Sequence, residues 1–160
     1  MTTESSSNRI DVRSENLEPP SWMGGFPSYV HAVLGELSVT NWEVSFLLTD
    51  DDTMAALNLQ FRDKEGPTDV LSFAAFDGID APSPQETGEP VPAGDIVIDV
   101  PLVVRQAAEW GVDAEEELRR VTVHGILHLA GHDHRTNDFQ EEPMLRLQER
   151  ILETVKERIY

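Results

Sequence analysis

The chain has 160 residues, enough for one domain with a single sizeable core, and the expectation is a disordered tail at 1–8 followed by one domain over 9–160. No apolar run is long enough to span a bilayer, the start lacks a charged-then-apolar signal pattern, and zero cysteines exclude disulfides and thiolate zinc sites, so a cytoplasmic protein with no membrane partner is expected. Thirty acidic against twelve basic residues give a formal charge of -18, which disfavours polyanionic partners unless a local basic patch overrides the global field.

Taken in order, Ile10-Asp11-Val12 alternates like a first strand, and Pro19-Pro20 and Gly24-Gly25 mark a loop. Pro27 suits the first turn of a helix reaching about Leu37. Trp42 to Leu48 reads as a strand. Thr49 or Asp50 can cap a helix over about 51–61, with Met54, Leu57 and Phe61 on one face, and Gly66-Pro67 ends that stretch. Val70-Leu71-Ser72-Phe73 begins another strand. Asp77 to Ala93, rich in proline and acids, reads as a solvated loop before a strand at Asp95–Ile98.

Asp99 caps a helix with Pro101 in its first turn, ending at Gly111. Asp113-x-x-Glu116 resembles a capping box opening the next helix, and a last helix runs from around Asp138 or Pro143 toward the C-terminus. Strands alternate with helices early and helices dominate late. The expected architecture is α+β: a small mixed four-stranded sheet packed with about five helices around a buried central helix.

That central helix carries the densest chemistry in the chain, His124-Gly125-Ile126-Leu127-His128-Leu129-Ala130-Gly131-His132-Asp133-His134. Apolar residues from Val121 to Ala130 surround its whole circumference, the pattern of a buried helix. His124 and His128, four apart, share one face, and Gly131 can take the left-handed conformation that ends a helix and turns a third imidazole back. Three neutral imidazoles and one open position are what a catalytic Zn²⁺ requires. The order His-x-x-x-His-x-x-Gly-x-x-His selects His124, His128 and His134; His132 then reads as a pocket-wall or surface residue. Asp133 could orient a ligand imidazole or simply stabilise the turn.

In His-Glu-x-x-His proteases the glutamate after the first ligand is the general base. Here that position is Gly125, and Glu115, Glu116 and Glu117 lie two or more turns upstream. A peptide-hydrolase mechanism is therefore disfavoured, although the metal geometry survives.

The histidine run resembles the signature of the YbeY-type endoribonucleases, bacterial rRNA maturation factors. Two further segments match in order: Asn58-Leu59-Gln60-Phe61-Arg62 followed by Pro67-Thr68-Asp69-Val70-Leu71-Ser72-Phe73, and Gly94-Asp95-Ile96-Val97-Ile98. The likeness spans about residues 40–135. It implies a metal-dependent, single-strand-specific endoribonuclease acting in 16S rRNA 3′-end maturation and ribosome quality control, with His124, His128 and His134 on one Zn²⁺ (or another divalent transition metal) plus a water, and Arg62 as the essential arginine of the cleft. It also implies partners: single-stranded RNA, the 30S and 70S ribosome, and assembly factors such as the GTPase Era. Two other classes stay open: a metal-dependent hydrolase of another substrate such as a peptide, and a ribosome-assembly binding factor whose metal is structural.

Arg62 could neutralise a non-bridging phosphate oxygen with its planar fork. No residue stands out as general base; an activated water or the RNA 2′-hydroxyl could remove the need for one. The candidate cations for RNA are Arg62, Lys64, Arg105, Arg119, Arg120 and Arg135, scattered along the chain. The surplus of acid also matches surfaces adapted to a salt-rich cytoplasm, where screening shortens repulsion.

Overall fold

A computed structural model describes residues 8–75, 90–131 and 143–160, together with the backbone of 2–5. Strands β1 (Thr2–Ser5), β2 (Asn8–Ser14), β3 (Trp42–Thr49), β4 (Val70–Ala74) and β5 (Val91–Asp99) form one sheet in the order β1-β2-β3-β5-β4. The inner pairs β2/β3 and β3/β5 are parallel, and the edge strands β1 and β4 run antiparallel to their neighbours. Among the described residues the helices are α1 (Phe26–Glu36), α2 (Asp51–Arg62), α3 (Val100–Trp110), α4 (Ala114–Leu129) and α5 (Pro143–Thr154). None is long and apolar enough to cross a membrane.

Period-2 alternation sorts the strand side chains into two faces. On one, Ile10 and Val12 lie beside Val44 and Phe46, and Phe46 and Leu48 beside Ile96 and Ile98, all essentially without solvent contact. Helices α1, α4 and α5 cover this face. Helix α1 contributes Phe26, Tyr29, Val30, Val33 and Leu34, the i, i+3, i+4, i+7, i+8 stripe of a half-buried helix. The opposite face holds a smaller cluster, Leu71 and Val97 with Met54 of α2. Strand β5 is thus buried on both sides, which explains the unbroken apolar run Ile96-Val97-Ile98.

The local punctuation follows the residue chemistry. Asp50 Oδ1 accepts from Thr53 N at 3.0 Å to start α2, and Asp99 Oδ1 accepts from Leu102 N at 3.1 Å to start α3. Gly111 closes α3 with φ 69°. Gly94, at φ 143° in β5, sits where a Cβ would lie 2.1 Å from the Phe73 carbonyl oxygen, so only glycine lets β4 approach there.

Several expectations need correcting. The four expected strands are present, but a fifth, β1, extends the sheet inside the stretch read as a tail. Asn8 is buried rather than loose: its Nδ2 donates to Val39 O and its Oδ1 accepts from Trp42 N, both at 2.9 Å, pinning β2 to the entrance of β3. Strand β5 begins at Val91, inside the expected loop, because pairing to β3 overrides the local proline signal. Asp113 makes no side-chain cap on α4, so the capping box is absent. Phe61 does not join Met54 in the core; it is half exposed and meets Phe73 edge-on at 5.2 Å. His132, Asp133, His134, Arg135 and Asp138 lie outside the described residues.

Candidate active site

Beside edge strand β4 lies a cleft of about 980 Å³ whose walls come from the end of α2, β4 and its approach, and one side of α4, with Trp110 added from α3 and Leu145 and Gln148 from α5. Each wall is built by a short piece of sequence with an identifiable task.

The α2 wall is organised by the Asn58-x-x-Phe61-Arg62 segment. Asn58 is buried and its Nδ2 donates to Gly66 O at 2.8 Å, while its carbonyl accepts from Lys64 N, so one residue folds the loop back on its helix. Asp63 takes a left-handed φ of 55° to end α2. Arg62, the last helical residue, then reaches the edge of β4. Its Nη2 donates to Ser72 O at 2.7 Å, and its Cζ lies 5.3 Å from the Phe73 ring centroid, a cation–π contact. No carboxylate pairs with Arg62 or Lys64 among the described residues, so both bring uncompensated positive charge to the cleft.

The α4 wall carries Glu117, Val121, His124 and His128 along one stripe of the helix. The Nε2 atoms of His124 and His128 are 3.0 Å apart with the rings edge-on, and His124 Nδ1 is 2.8 Å from Gln148 Oε1 on α5. An amide oxygen only accepts, so the neutral tautomer that satisfies this contact carries its proton on Nδ1 and its lone pair on Nε2, the nitrogen beside His128. Two imidazole nitrogens on one tetrahedral zinc stand about 3.3 Å apart, from metal–nitrogen distances near 2.0–2.1 Å. The donor chemistry of the pair therefore fits half of a metal site. Among the described residues, no three histidine, aspartate or glutamate side chains gather to hold an ion.

Gly125 sits on the neighbouring face of α4, turned to the sheet. A Cβ there would stand 3.0 Å from Ile96 Cγ2 and 3.3 Å from both Ser72 Oγ and Val70 Cγ2. Ser72 Oγ also donates to Gly125 O at 3.2 Å. The glycine that replaces the protease glutamate is thus the contact that lets the histidine helix lie against β4 and β5.

Of the candidate cations, Arg62, Lys64 and Arg120 line the cleft. Arg105 instead forms a two-pronged pair with Asp51, and Arg119 pairs with Glu115 and donates to Glu157 O. Arg120 is itself held by Glu149 and Glu117.

Three residues have a place in the cleft that the sequence reading does not give them: Gln148, Trp110, and Glu117, which that reading sets aside as lying too far upstream. Gln148 is almost fully buried, and a polar residue on the inner side of an amphipathic helix gives no local sign of its partner. Glu117 is 1% exposed; its Oε2 accepts from Gln106 Nε2 at 2.8 Å, and the same amide donates to Asp69 Oδ2 at 3.1 Å. Burial raises the Glu117 carboxyl above the usual range, against the lowering effects of the Gln106 hydrogen bond and the Arg120 charge. Trp110, at the end of α3, is the third.

Comparison with known proteins bears on this geometry. The family model described as Endoribonuclease YbeY matches residues 9–156. A Treponema denticola protein named Endoribonuclease YbeY is 44% identical over 149 residues, covering 91% of this chain and 92% of that protein. A protein of the same name from Borreliella burgdorferi is 44% identical over 132 residues, covering 82% of this chain and 85% of its own. The solution structure of TM1509 from Thermotoga maritima is similar with a TM-score of 0.61 at 27% identity, over 91% of this chain and 88% of that one.

Proposed function

The chain belongs to the Endoribonuclease YbeY family, and from that premise we propose that it is a metal-dependent endoribonuclease cleaving single-stranded RNA, in 16S rRNA 3′-end maturation and ribosome quality control in the cytoplasm. The 30S and 70S ribosome and the GTPase Era are its proposed partners. The observation that carries this reading is the meeting of His124 Nε2 and His128 Nε2 at 3.0 Å in the cleft that Arg62 also lines.

His124, His128 and His134 are the residues proposed to hold one Zn²⁺ or another divalent transition metal. Such an ion, when bound, supplies Lewis acidity at a phosphoryl oxygen and an acidified water. The chain's own groups do the rest. Gln148 holds the His124 tautomer. Arg62, steadied on Ser72 O and the Phe73 ring, has donors left to place on a non-bridging phosphate oxygen as negative charge grows there. Attack by water leaves a linear phosphate end, whereas attack by the RNA 2′-hydroxyl leaves a cyclic one, so end-group analysis of the product identifies the nucleophile. The peptide-hydrolase alternative lacks support in the geometry, since Gly125 faces the sheet where a protease would need its carboxylate.

Zinc-loaded protein tested against single-stranded RNA and casein, with His124→Ala and Arg62→Glu beside it, decides the matter. RNA cleavage lost in both variants is expected, with casein intact. Cleavage persisting in both would mean a contaminating nuclease. One equivalent of retained metal with neither substrate cut would leave the protein as an assembly factor with a structural ion.

A further inference from the structure

We propose that Trp110 forms a nucleobase subsite, stacking one unpaired base of an RNA strand whose backbone lies along the cleft. The inference rests on the RNA reading above and adds to it a site and a physical source of single-strand preference.

An exposed apolar residue means little in isolation. Trp110 differs by its position from the other exposed large side chains among the described residues. It is 58% exposed and lines the cleft together with Arg120, His124 and His128. Phe61 and Tyr160, comparably exposed, each spend a ring face or edge on a neighbour, Phe73 and Trp22 respectively, while the Trp110 indole has no ring partner among the described residues.

Its setting fits a base. The left-handed Gly111 ends α3 at Trp110, and three residues later α4 begins, so the indole stands at the N-terminal end of the α4 wall. From Glu117 to His124 that wall runs seven residues, about 10 Å of helix, a span that a short extended run of nucleotides covers. A phosphate near the histidine pair and Arg62 therefore leaves a neighbouring base within reach of the indole, with Lys64 on the same cleft for the connecting backbone. Bases locked in a duplex cannot offer a face to the indole, whereas unpaired ones can. Glu117 is too deeply buried to read a base edge, so the subsite takes any base and favours purines by their larger stacking area.

The test uses the full-length protein and a short labelled 2′-O-methyl oligonucleotide, which resists attack through its 2′ oxygen. Trp110→Ala is expected to weaken binding about 5- to 150-fold, the range for loss of one base–aromatic stack, and Trp110→Phe to retain most of it. A series of oligonucleotides with one abasic position each should contain one that binds wild type as weakly as the variant binds the intact strand. That same oligonucleotide should lose nothing further against Trp110→Ala. Equal affinity of wild type and Trp110→Ala, or additive losses in every combination, overturns the subsite while leaving the nuclease reading intact. A wild-type protein with no affinity for single-stranded RNA overturns both. Unchanged RNA affinity with lost binding to a protein partner also overturns it, Trp110 then being a protein contact.

Discussion

Gln148 Oε1 on α5 lies 2.8 Å from His124 Nδ1 on α4, and this one hydrogen bond fixes which nitrogen of His124 can serve as a ligand. Gln148→Leu keeps the volume and removes the acceptor. Zinc affinity, measured against a competing chelator, should fall about 10- to 100-fold, the range for loss of a group that orients a ligand histidine. Gln148→Glu, which also accepts, should recover most of it. If Gln148→Leu bound zinc like the parent, the Gln148 hydrogen bond would have no part in orienting His124 as a ligand.

Gly125 gives a stability prediction with the same helix. Gly125→Leu forces a side chain between α4 and strands β4 and β5, against Ile96, Val70 and Ser72. Overpacking of this kind costs about 1–3 kcal/mol, and Gly125→Glu should cost more by adding a buried, unpaired charge. Urea denaturation followed by circular dichroism checks this. A midpoint unchanged by either substitution would mean that α4 does not seat on the sheet at this residue.

These two residues also mark how far the sequence could be read. The cap at Asp99, the stop at Gly111 and the shared face of His124 and His128 follow from local rules: side-chain oxygens on free N–H groups, a left-handed glycine, a 3.6-residue period. The Asn58-to-Arg62 segment was recognisable as a motif, although its reason, a buried Asn58 folding the loop and Arg62 reaching Ser72 O, depends on β4 being alongside. Arg119 meets Glu115 through the i, i+4 spacing of one helix, a pattern the sequence carries. The place of Gln148 against His124 and the pairing of Arg105 with Asp51 are decided by groups far apart in the chain, and no local pattern encodes them. Gly125 was read correctly as unable to transfer a proton, but its packing against Ile96 required the sheet.

Asp99 predicts how stability varies with pH. Its carboxyl is fully buried, Oδ2 meets no donor, and burial and the neighbouring Asp51 carboxyl push its pKa from 3.8 to about 7. Between about pH 4 and 7 the folded protein therefore holds a proton that the unfolded chain has lost, so stability falls as pH rises through that window and levels off above it. Asp51, held below the usual range chiefly by its hydrogen bond from Arg105, acts in the opposite sense only at more acidic pH. Asp99→Asn preserves the cap oxygen for Leu102 N and removes the titration. The variant should match the parent near pH 4 and exceed it above pH 7 by roughly 1–3 kcal/mol. Thermal melts at a series of pH values would show it. A residual decline in Asp99→Asn is expected from Glu117, which burial also raises. Equal slopes for parent and variant across pH 4–7 would rule out a shared proton at Asp99.

The salt dependence of RNA binding addresses how a chain of charge -18 takes up a polyanion. Three of the described cations line the cleft, but Arg120 is already neutralised by Glu149 and Glu117, which leaves Arg62 and Lys64 among the described residues to displace counterions. For a single strand each neutralised phosphate contributes about 0.7 to the slope of log affinity against log salt, so two contacts predict a slope of about -1.4. Arg62→Ala and Lys64→Ala should each bring it to about -0.7, and Arg105→Ala should leave it unchanged because that guanidinium is committed to Asp51. Affinity set by so few phosphate contacts is low at every salt concentration. The acidic remainder of the surface repels RNA elsewhere, which confines productive contact to the cleft, and stacking there would supply binding that salt does not screen. A slope of -4 or steeper, insensitive to Arg62 and Lys64, would place the RNA on another face of the protein.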